Sequence, residues 1–380
     1  MHALLLLVAA AMTADIAYAA PRFAVYIDEW HEPTSYDKNV LASITHVITA
    51  FAESALFFDG TGYVPSASFL LPSNLRNNFD QDVKICMAIG GWGDDSLGFT
   101  NGSQSDESRK AFAKNVESSL TTNGYDCVDI DWEYPGGNGA DYKQVGRENK
   151  DKVDEITNYP LLLQEIKKAI GDKELSIAVP GRAEDMIAFT NEQVPKISDA
   201  VDVVNVMAYD LMNRRDNMTK HHASVQGVNQ TIQTYLDRGM DAAKMNLGFP
   251  FYAKFFNLAG TCDTPIGCPT KLMEDPNTGA DLGTSGAAVF ALNDDFSVDW
   301  QAASAKGQAD NVQGGQWCVS NAKGISSFWT WDTPEFIAEK FSTIVKPMKL
   351  GGVMAWSLGE DDPSFTYVQA LNKGLQTLGQ

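Results

Sequence analysis

Strand-like runs separated by helix-like segments recur eight times along this chain, and that rhythm limits the fold more than any other feature. The runs are RFAVYIDEW (22–30), THVITAFA (45–52), VKICMAIGGW (83–92), CVDIDWEYP (127–135), LSIAVPG (175–181), AVDVVNVMAYD (200–210), MNLGFPFYA (245–253) and GGVMAWSL (351–358). Nearly unbroken apolar and β-branched residues are what parallel strands covered on both faces require. Between them, DESRKAFAKNVESSLTTNG (106–124) starts at an acid-rich turn and stops at Gly124. YPLLLQEIKKAIG (159–171) carries apolar residues at helical spacing up to Gly171. DTPEFIAEKFSTIVKPM (332–348) opens with Asp332 and Glu335 in capping-box spacing and Pro334 in the first turn. Such alternation over a few hundred residues predicts an α/β fold, a (β/α)8 barrel. An open, doubly wound sheet is the alternative, but no G-x-G-x-x-G follows the first strand.

One connection breaks the rhythm. Between Tyr252 and Phe328 lies a stretch rich in Gly, Asp, Thr and Ala. At roughly seventy residues it is too long for a compact strand-to-helix loop. AAVFALNDDF inside it still reads as a strand. A small α+β insertion over 254–327, between the seventh strand and the seventh helix, is therefore expected on the barrel rim. The barrel itself takes 20–253 and 328–380.

The first nineteen residues stand apart. ALLLLVAAAM is too short to span a bilayer, and Ala17-Tyr18-Ala19 is an A-x-A-like cleavage site. Residues 1–19 read as a secretory signal peptide, and the mature protein as extracellular. Removing them takes away one acid, Asp15, and leaves 48 acids against 29 bases. So acidic a surface repels nucleic acid and anionic lipid, which points to a neutral or cationic partner. Asn101, Asn217 and Asn229 open N-x-S/T sequons, expected on surface loops of a glycoprotein. Of five cysteines, Cys262 and Cys268 form the expected short disulfide loop, Cys86 and Cys127 lie in strand-like runs, and an odd count leaves at least one thiol over. No Cys/His spacing resembles a zinc site, so no metal or cofactor is expected. A monomer is the default.

The chemistry gathers in the fourth run. Asp129, Asp131 and Glu133 alternate with Val128, Ile130 and Trp132, so the acids share one strand face. In a barrel the apolar set suits the helices and the acids line the lumen, with Glu133 last, at the C-terminal mouth before Pro135. Carboxylates in a line cannot all ionise cheaply, and one kept protonated serves as a general acid. A structural polar network and a divalent-metal site are the other readings. Tyr26, Trp30, Phe51, Trp92, Tyr134, Met207, Tyr209, Tyr252 and Trp356 fall at or near strand ends. Together they describe an aromatic cleft of the kind that packs on the apolar faces of sugar rings.

These residues also resemble a known family. DCVDIDWE (126–133) is similar to the D-x-x-D-x-D-x-E signature of family-18 glycoside hydrolases, the chitinases. AIGGW (88–92) resembles their S-x-G-G strand, with Ala88 in the Ser position; MAYD (207–210) resembles M-x-Y-D; GFPFYAK (248–254) resembles G-x-P-x-Y-G-R, with Ala253 and Lys254 differing. The likeness runs from about Arg22 to the C-terminus, in the manner of secreted fungal chitinases with a small α+β insertion.

The resemblance implies hydrolysis of β-1,4-linked N-acetylglucosamine polymers with retention, by substrate-assisted catalysis. It implies that Glu133 protonates the glycosidic oxygen and that Asp131 orients the acetamide, relaying a proton with Asp129. Tyr209 would hydrogen-bond the acetamide, with Asp210 and Met207 shaping that subsite and Trp356 as its floor. Tyr26, Phe51, Gly91, Trp92, Tyr134 and Tyr252 complete the implied chitin and chito-oligosaccharide contacts. Asp126, of opposite parity, reads as structural. Cys127 replaces the family's Gly, which with Ala88 bears on packing or on the tuning of Asp129. The family pattern further implies cis bonds at Ala50–Phe51, Glu133–Tyr134 and Trp356–Ser357. A chitin-binding lectin and an endo-β-N-acetylglucosaminidase acting on N-glycans are the competing functions.

Overall fold

The computed structural model describes residues 20–33, 35–58, 70–322 and 324–378. The signal-like segment 1–19 lies outside them. The strands are β1 (Arg22–Asp28), β2 (His46–Ala52), β3 (Lys84–Gly90), β4 (Cys127–Asp131), β5 (Glu174–Pro180), β6 (Val203–Met207), β7 (Met245–Pro250), β8 (Tyr252–Asn257), β9 (Ser285–Val289), β10 (Gln308–Asp310), β11 (Gly315–Ala322), β12 (Ile325–Trp331) and β13 (Gly352–Trp356). Strands β1 to β7 and β13 close a parallel barrel in the order β1-β13-β7-β6-β5-β4-β3-β2. All eight expected runs are its staves, and the open-sheet alternative falls.

Strand parity divides the core in two. Val25, Ile27, Val47, Ile85, Val128 and Ile130 face outward into the barrel–helix layer. Ala24, Tyr26, Ile48, Ala50, Cys86, Ala88 and Cys127 face into the lumen. On the outer face Trp132 stacks on Phe99 at 5.2 Å and meets Tyr159 edge-on at 5.6 Å. This aromatic layer fixes the exit of β4, and with it the acids on the opposite face.

Between β7 and the helix Pro334–Lys340, strands β8 to β12 form a second sheet, antiparallel, in the order β10-β11-β12-β8-β9. It rises from the rim at Tyr252 and returns at Trp331, with the helix Ser297–Ser304 packed beside it. Ser285, Gly286 and Ala287 of β9 wall one side of the cleft described below.

Three local expectations need correction. The helix read from Tyr159 begins a turn earlier, at Glu155, so Pro160 lies inside it. The helix after β12 is capped by Thr333, whose hydroxyl accepts from the Phe336 N–H. Asp332 turns inward instead and pairs with the buried Lys340 ammonium. Of the sequons, Asn217 lies in an exposed loop, whereas Asn101 and Asn229 sit half-buried on helices.

Cys262 and Cys268 are bonded, and so are Cys86 and Cys127, which the strand pattern alone did not pair. Cys86 and Cys127 are register partners on β3 and β4, both on the lumenal face, 4.4 Å apart at Cα. Cys318 is free and buried. No helix among the described residues is long and apolar enough to cross a membrane.

Candidate active site

The lumenal face of β4 stacks Cys127, Asp129 and Asp131 from bottom to top. Asp129 is fully buried and accepts from Tyr26 Oη at 2.7 Å, Ser176 Oγ at 2.5 Å and Asn205 Nδ2 at 3.1 Å. Burial pushes its carboxyl up, and these three donors act against that. Ala88, its register partner on β3, supplies no hydroxyl, so the donors come from β1, β5 and β6. One level higher, Asp131 is 3% exposed and its Oδ1 has no protein partner. Burial, then the charges of Glu133 and Asp129, hold its carboxyl well above the usual range.

Glu133 lies beyond the end of β4, at the mouth rather than within the strand. Burial pushes its carboxyl up to about 7, against hydrogen bonds to Tyr134 and the Trp92 backbone. A carboxylic acid that still holds its proton near neutrality is matched to general-acid work. The neighbouring β3 end comes very close. A Cβ at Gly90 would lie 2.1 Å from the Asp131 carbonyl oxygen, and φ is +110° there, so glycine is required. The three peptide bonds Ala50–Phe51, Glu133–Tyr134 and Trp356–Ser357 are cis.

Above the acids opens a cleft of about 500 Å³. Asp131, Glu133, Phe51, Trp92 and Tyr134 line it from β2 to β4, and Met207, Tyr209, Asp210, Tyr252 and Trp356 from β6 to β13. Trp356 stacks on Phe51 at 5.5 Å and an interplanar angle of 15°. Tyr209 meets Tyr252 edge-on at 6.2 Å. Asp210 accepts from Tyr252 Oη at 2.8 Å and Lys254 Nζ at 3.1 Å. Burial opposes its ionisation, but Lys254, His222 and Tyr252 outweigh burial and keep it a carboxylate. Lys254 thus keeps a charge contact to Asp210 without an arginine fork.

Two expected contacts lie elsewhere. Tyr26 is 1% exposed and sits beneath the cleft, its hydroxyl committed to Asp129 and its ring 5.4 Å from that of Trp356. Gly91 is buried under the Phe51 ring, and its N–H donates to the Asp131 carbonyl at 2.8 Å. Both support residues on the cleft surface. Asp126, as its parity implied, is outside the lumen, accepting from Arg76 and the Ile85 N–H.

The cleft also contains groups that sequence reading missed. Arg182 and Asp185 follow β5, and Asn213, Arg214 and Arg215 follow β6. The Arg215 guanidinium lies 4.1 Å from the Tyr142 ring centroid and 5.7 Å from that of Trp92. Polar residues just past strand ends were the available signal. Glu360, after β13, lines the cleft as well.

A family model described as "Glycosyl hydrolases family 18" matches residues 22–361. The chain belongs to glycosyl hydrolases family 18. Among relatives, Chitotriosidase-1 of Mus musculus is 25% identical over 365 residues, 90% of this chain and 74% of that protein. Chitinase 1 of Aphanocladium album is 27% identical over 309 residues, 76% of this chain and 63% of that one. Among solved structures, a mutant of catalytic domain 2 of the Ostrinia furnacalis Group II chitinase, in complex with penta-N-acetylchitooctaose, superposes with a TM-score of 0.75. That likeness covers 94% of this chain and 97% of that one at 23% identity. The matched range contains Asp129, Asp131, Glu133, Met207, Tyr209, Asp210 and Trp356, and also the insertion and the arginines after β5 and β6.

Proposed function

We propose that this family-18 hydrolase is a secreted chitinase that cleaves β-1,4 linkages between N-acetylglucosamine units with retention. The observation that carries this reading is Glu133 at the mouth of a buried acid column, its carboxyl pushed up to about 7 by burial, under an aromatic cleft that Trp356 helps to line. In the step we infer, Glu133 gives its proton to the glycosidic oxygen as the C1–O bond breaks. The substrate's acetamide carbonyl oxygen bonds to C1 from the opposite face, forming an oxazolinium ion. The leaving sugar departs as an alcohol carrying that proton. The Glu133 carboxylate then takes a proton from the water that attacks C1 and reopens the ring, so the anomeric configuration is retained.

Asp131, with a free buried oxygen, is suited to accept from the acetamide N–H and to offset the positive charge of the ring ion. Asp129 below it, held by three donors, sets how the shared proton is distributed. Tyr209 is the acetamide's hydroxyl partner, and Trp356 the platform under the sugar. Chito-oligosaccharides are the expected partners, and the aromatic lining supports them over branched glycans. Two disulfides among the described residues support an oxidising, extracytoplasmic compartment.

The decisive experiment is hydrolysis of N-acetylglucosamine oligomers by the protein and by Glu133→Gln, with products resolved by length and anomer. β-Anomeric products from the parent, and a rate lowered about 10²–10⁴-fold in the variant, are expected for loss of a general acid. Binding without cleavage by the parent would replace the enzyme reading with the lectin; α-anomeric products would overturn the acetamide-assisted route.

A further inference from the structure

The two ends of the cleft are built differently. Around the barrel the staves run β4, β5, β6, β7, and β1 stands opposite β5. Trp30, just after β1, lines one end and is 62% exposed. The other end is lined from the loops after β5 and β6, by Asp185, Arg214 and Arg215.

Behind those arginines one carboxylate gathers three segments that are distant in sequence. Glu274, in the insertion between β8 and β9, is 6% exposed. Its Oε1 accepts from Lys143 Nζ at 2.8 Å and from the Tyr142 hydroxyl, both on the loop after β4. Its Oε2 accepts from Arg214 Nε at 3.2 Å and lies 3.7 Å from Arg215 Nε, both on the loop after β6. Burial opposes its ionisation, but Lys143, Tyr142 and Arg214 prevail and keep it a carboxylate. Hydrogen bonds to an ionised group are the strong ones, and here several share one acceptor. Arg215 adds bonds to the carbonyls of Asn138 at 2.8 Å and Gly139 at 3.0 Å, again on the β4 loop.

Stave order gives this link its reach. Since β4 and β7 flank β5 and β6, a tie from the β4 loop to the insertion crosses that whole sector of the rim. The guanidinium groups of Arg214 and Arg215 lie 5.9 Å and 5.7 Å from the Trp92 ring centroid. A sugar chain packed on Trp92 therefore runs toward side chains anchored by a buried carboxylate. A polymer is cut at an internal linkage only if both of its arms can leave the cleft. With one arm blocked, a chain end has to seat against the wall.

Resting on the chitinase reading, we propose that Glu274 is a positioning residue that latches the insertion to the β4 and β6 loops and closes the cleft at its Trp92 end, so that the protein cuts at one fixed distance from a chain end. Glu274 touches no sugar itself and acts through Arg214 and Arg215.

The test uses the N-acetylglucosamine pentamer, hexamer and octamer, isotopically labelled at the reducing end, and a soluble chitin polymer followed by viscosity. The parent should cut all the oligomers at the same number of units from one end, and viscosity should fall little for each bond cut. Glu274→Ala removes the carboxylate that the three segments share. Cuts should then spread over several positions, and the viscosity lost per bond cut should rise at least about tenfold, as expected for deleting a buried, hydrogen-bonded charge. The alkaline limb that reports Glu133 should not move, which separates an opened cleft from a damaged acid. Lys143→Met removes one arm of the latch, should shift the pattern the same way, and decides the matter if Glu274→Ala does not fold. Cuts at varied distances from both ends in the parent overturn the inference and leave the chitinase reading intact. A parent-like pattern in the folded variants overturns it too. No cleavage of any of these oligomers by the parent would sink the chitinase reading, and this inference with it.

Discussion

At the scale of single residues, the acids of this site differ by environment rather than by type. Asp129 has three donors, Asp131 has an oxygen with none, and Glu133 stands at the open end. Glu133 must be protonated to act, and burial places its carboxyl at about 7. kcat/KM should therefore hold on the acid side and fall as pH rises through about 7, with an alkaline limb that reports the free enzyme. A flat profile to pH 9 would remove Glu133 as the acid. Asp131→Asn keeps the shape but removes the charge that balances the oxazolinium ion. It should lower kcat about 10²–10³-fold, on the scale of losing one preorganised electrostatic partner, with little change in KM. The alternation of three acids was visible in the sequence because strand parity is a property of the local chain. The burial that separates their proton affinities was not, since it depends on β1, β5 and β6 arriving around them.

At the scale of elements, the helix Pro334–Lys340 connects the insertion back to the barrel. Thr333 caps it, so replacing that residue with Ala should cost about 1 kcal/mol in denaturant unfolding. Asp332 does something different: it is the buried partner of a buried Lys340. Asp332→Ala leaves the ammonium unpaired and should cost about 3–5 kcal/mol, with much of the loss recovered in the double variant Asp332→Ala, Lys340→Met. Equal losses for the single and double variants would mean that the pair is not what holds this junction. Sequence spacing offered Asp332 as the cap because Asp-x-x-Glu satisfies the local pattern. Only the packing of the helix against the barrel revealed where that side chain points.

At the scale of the whole molecule, buried acids set how stability varies with pH. Burial pushes Glu133, Glu360 and Asp361 to about 7, 8 and 7. Each holds its proton more tightly folded than unfolded, where a carboxyl titrates near ~4. Their stabilising contribution is whole below that value and is lost as pH rises through about 7 to 8. Glu174 runs the other way: burial opposes its ionisation, but His46 and Lys84 prevail and bring it to about 2. That contribution is present above ~4 and lost as pH falls toward 2. With a net charge of −20 adding self-repulsion at higher pH, Tm should be greatest near about pH 4–5 and decline toward pH 8. A Tm that climbs steadily from pH 5 to pH 8 would contradict this. The eight-stranded barrel and the shared face of the acids were determined by sequence, because hydrophobic period and strand parity act within a few residues and repeat; the second sheet starts at Tyr252 and ends at Trp331, outside the 254–327 read from sequence. The Cys86–Cys127 bond, the retreat of Tyr26 and Gly91 beneath the cleft, the arginine rim and the burial of Glu360 beside His31 were decided by tertiary structure. Each depends on which residues of distant strands reach the same level of a closed barrel, and that register exists only once the eighth strand has met the first.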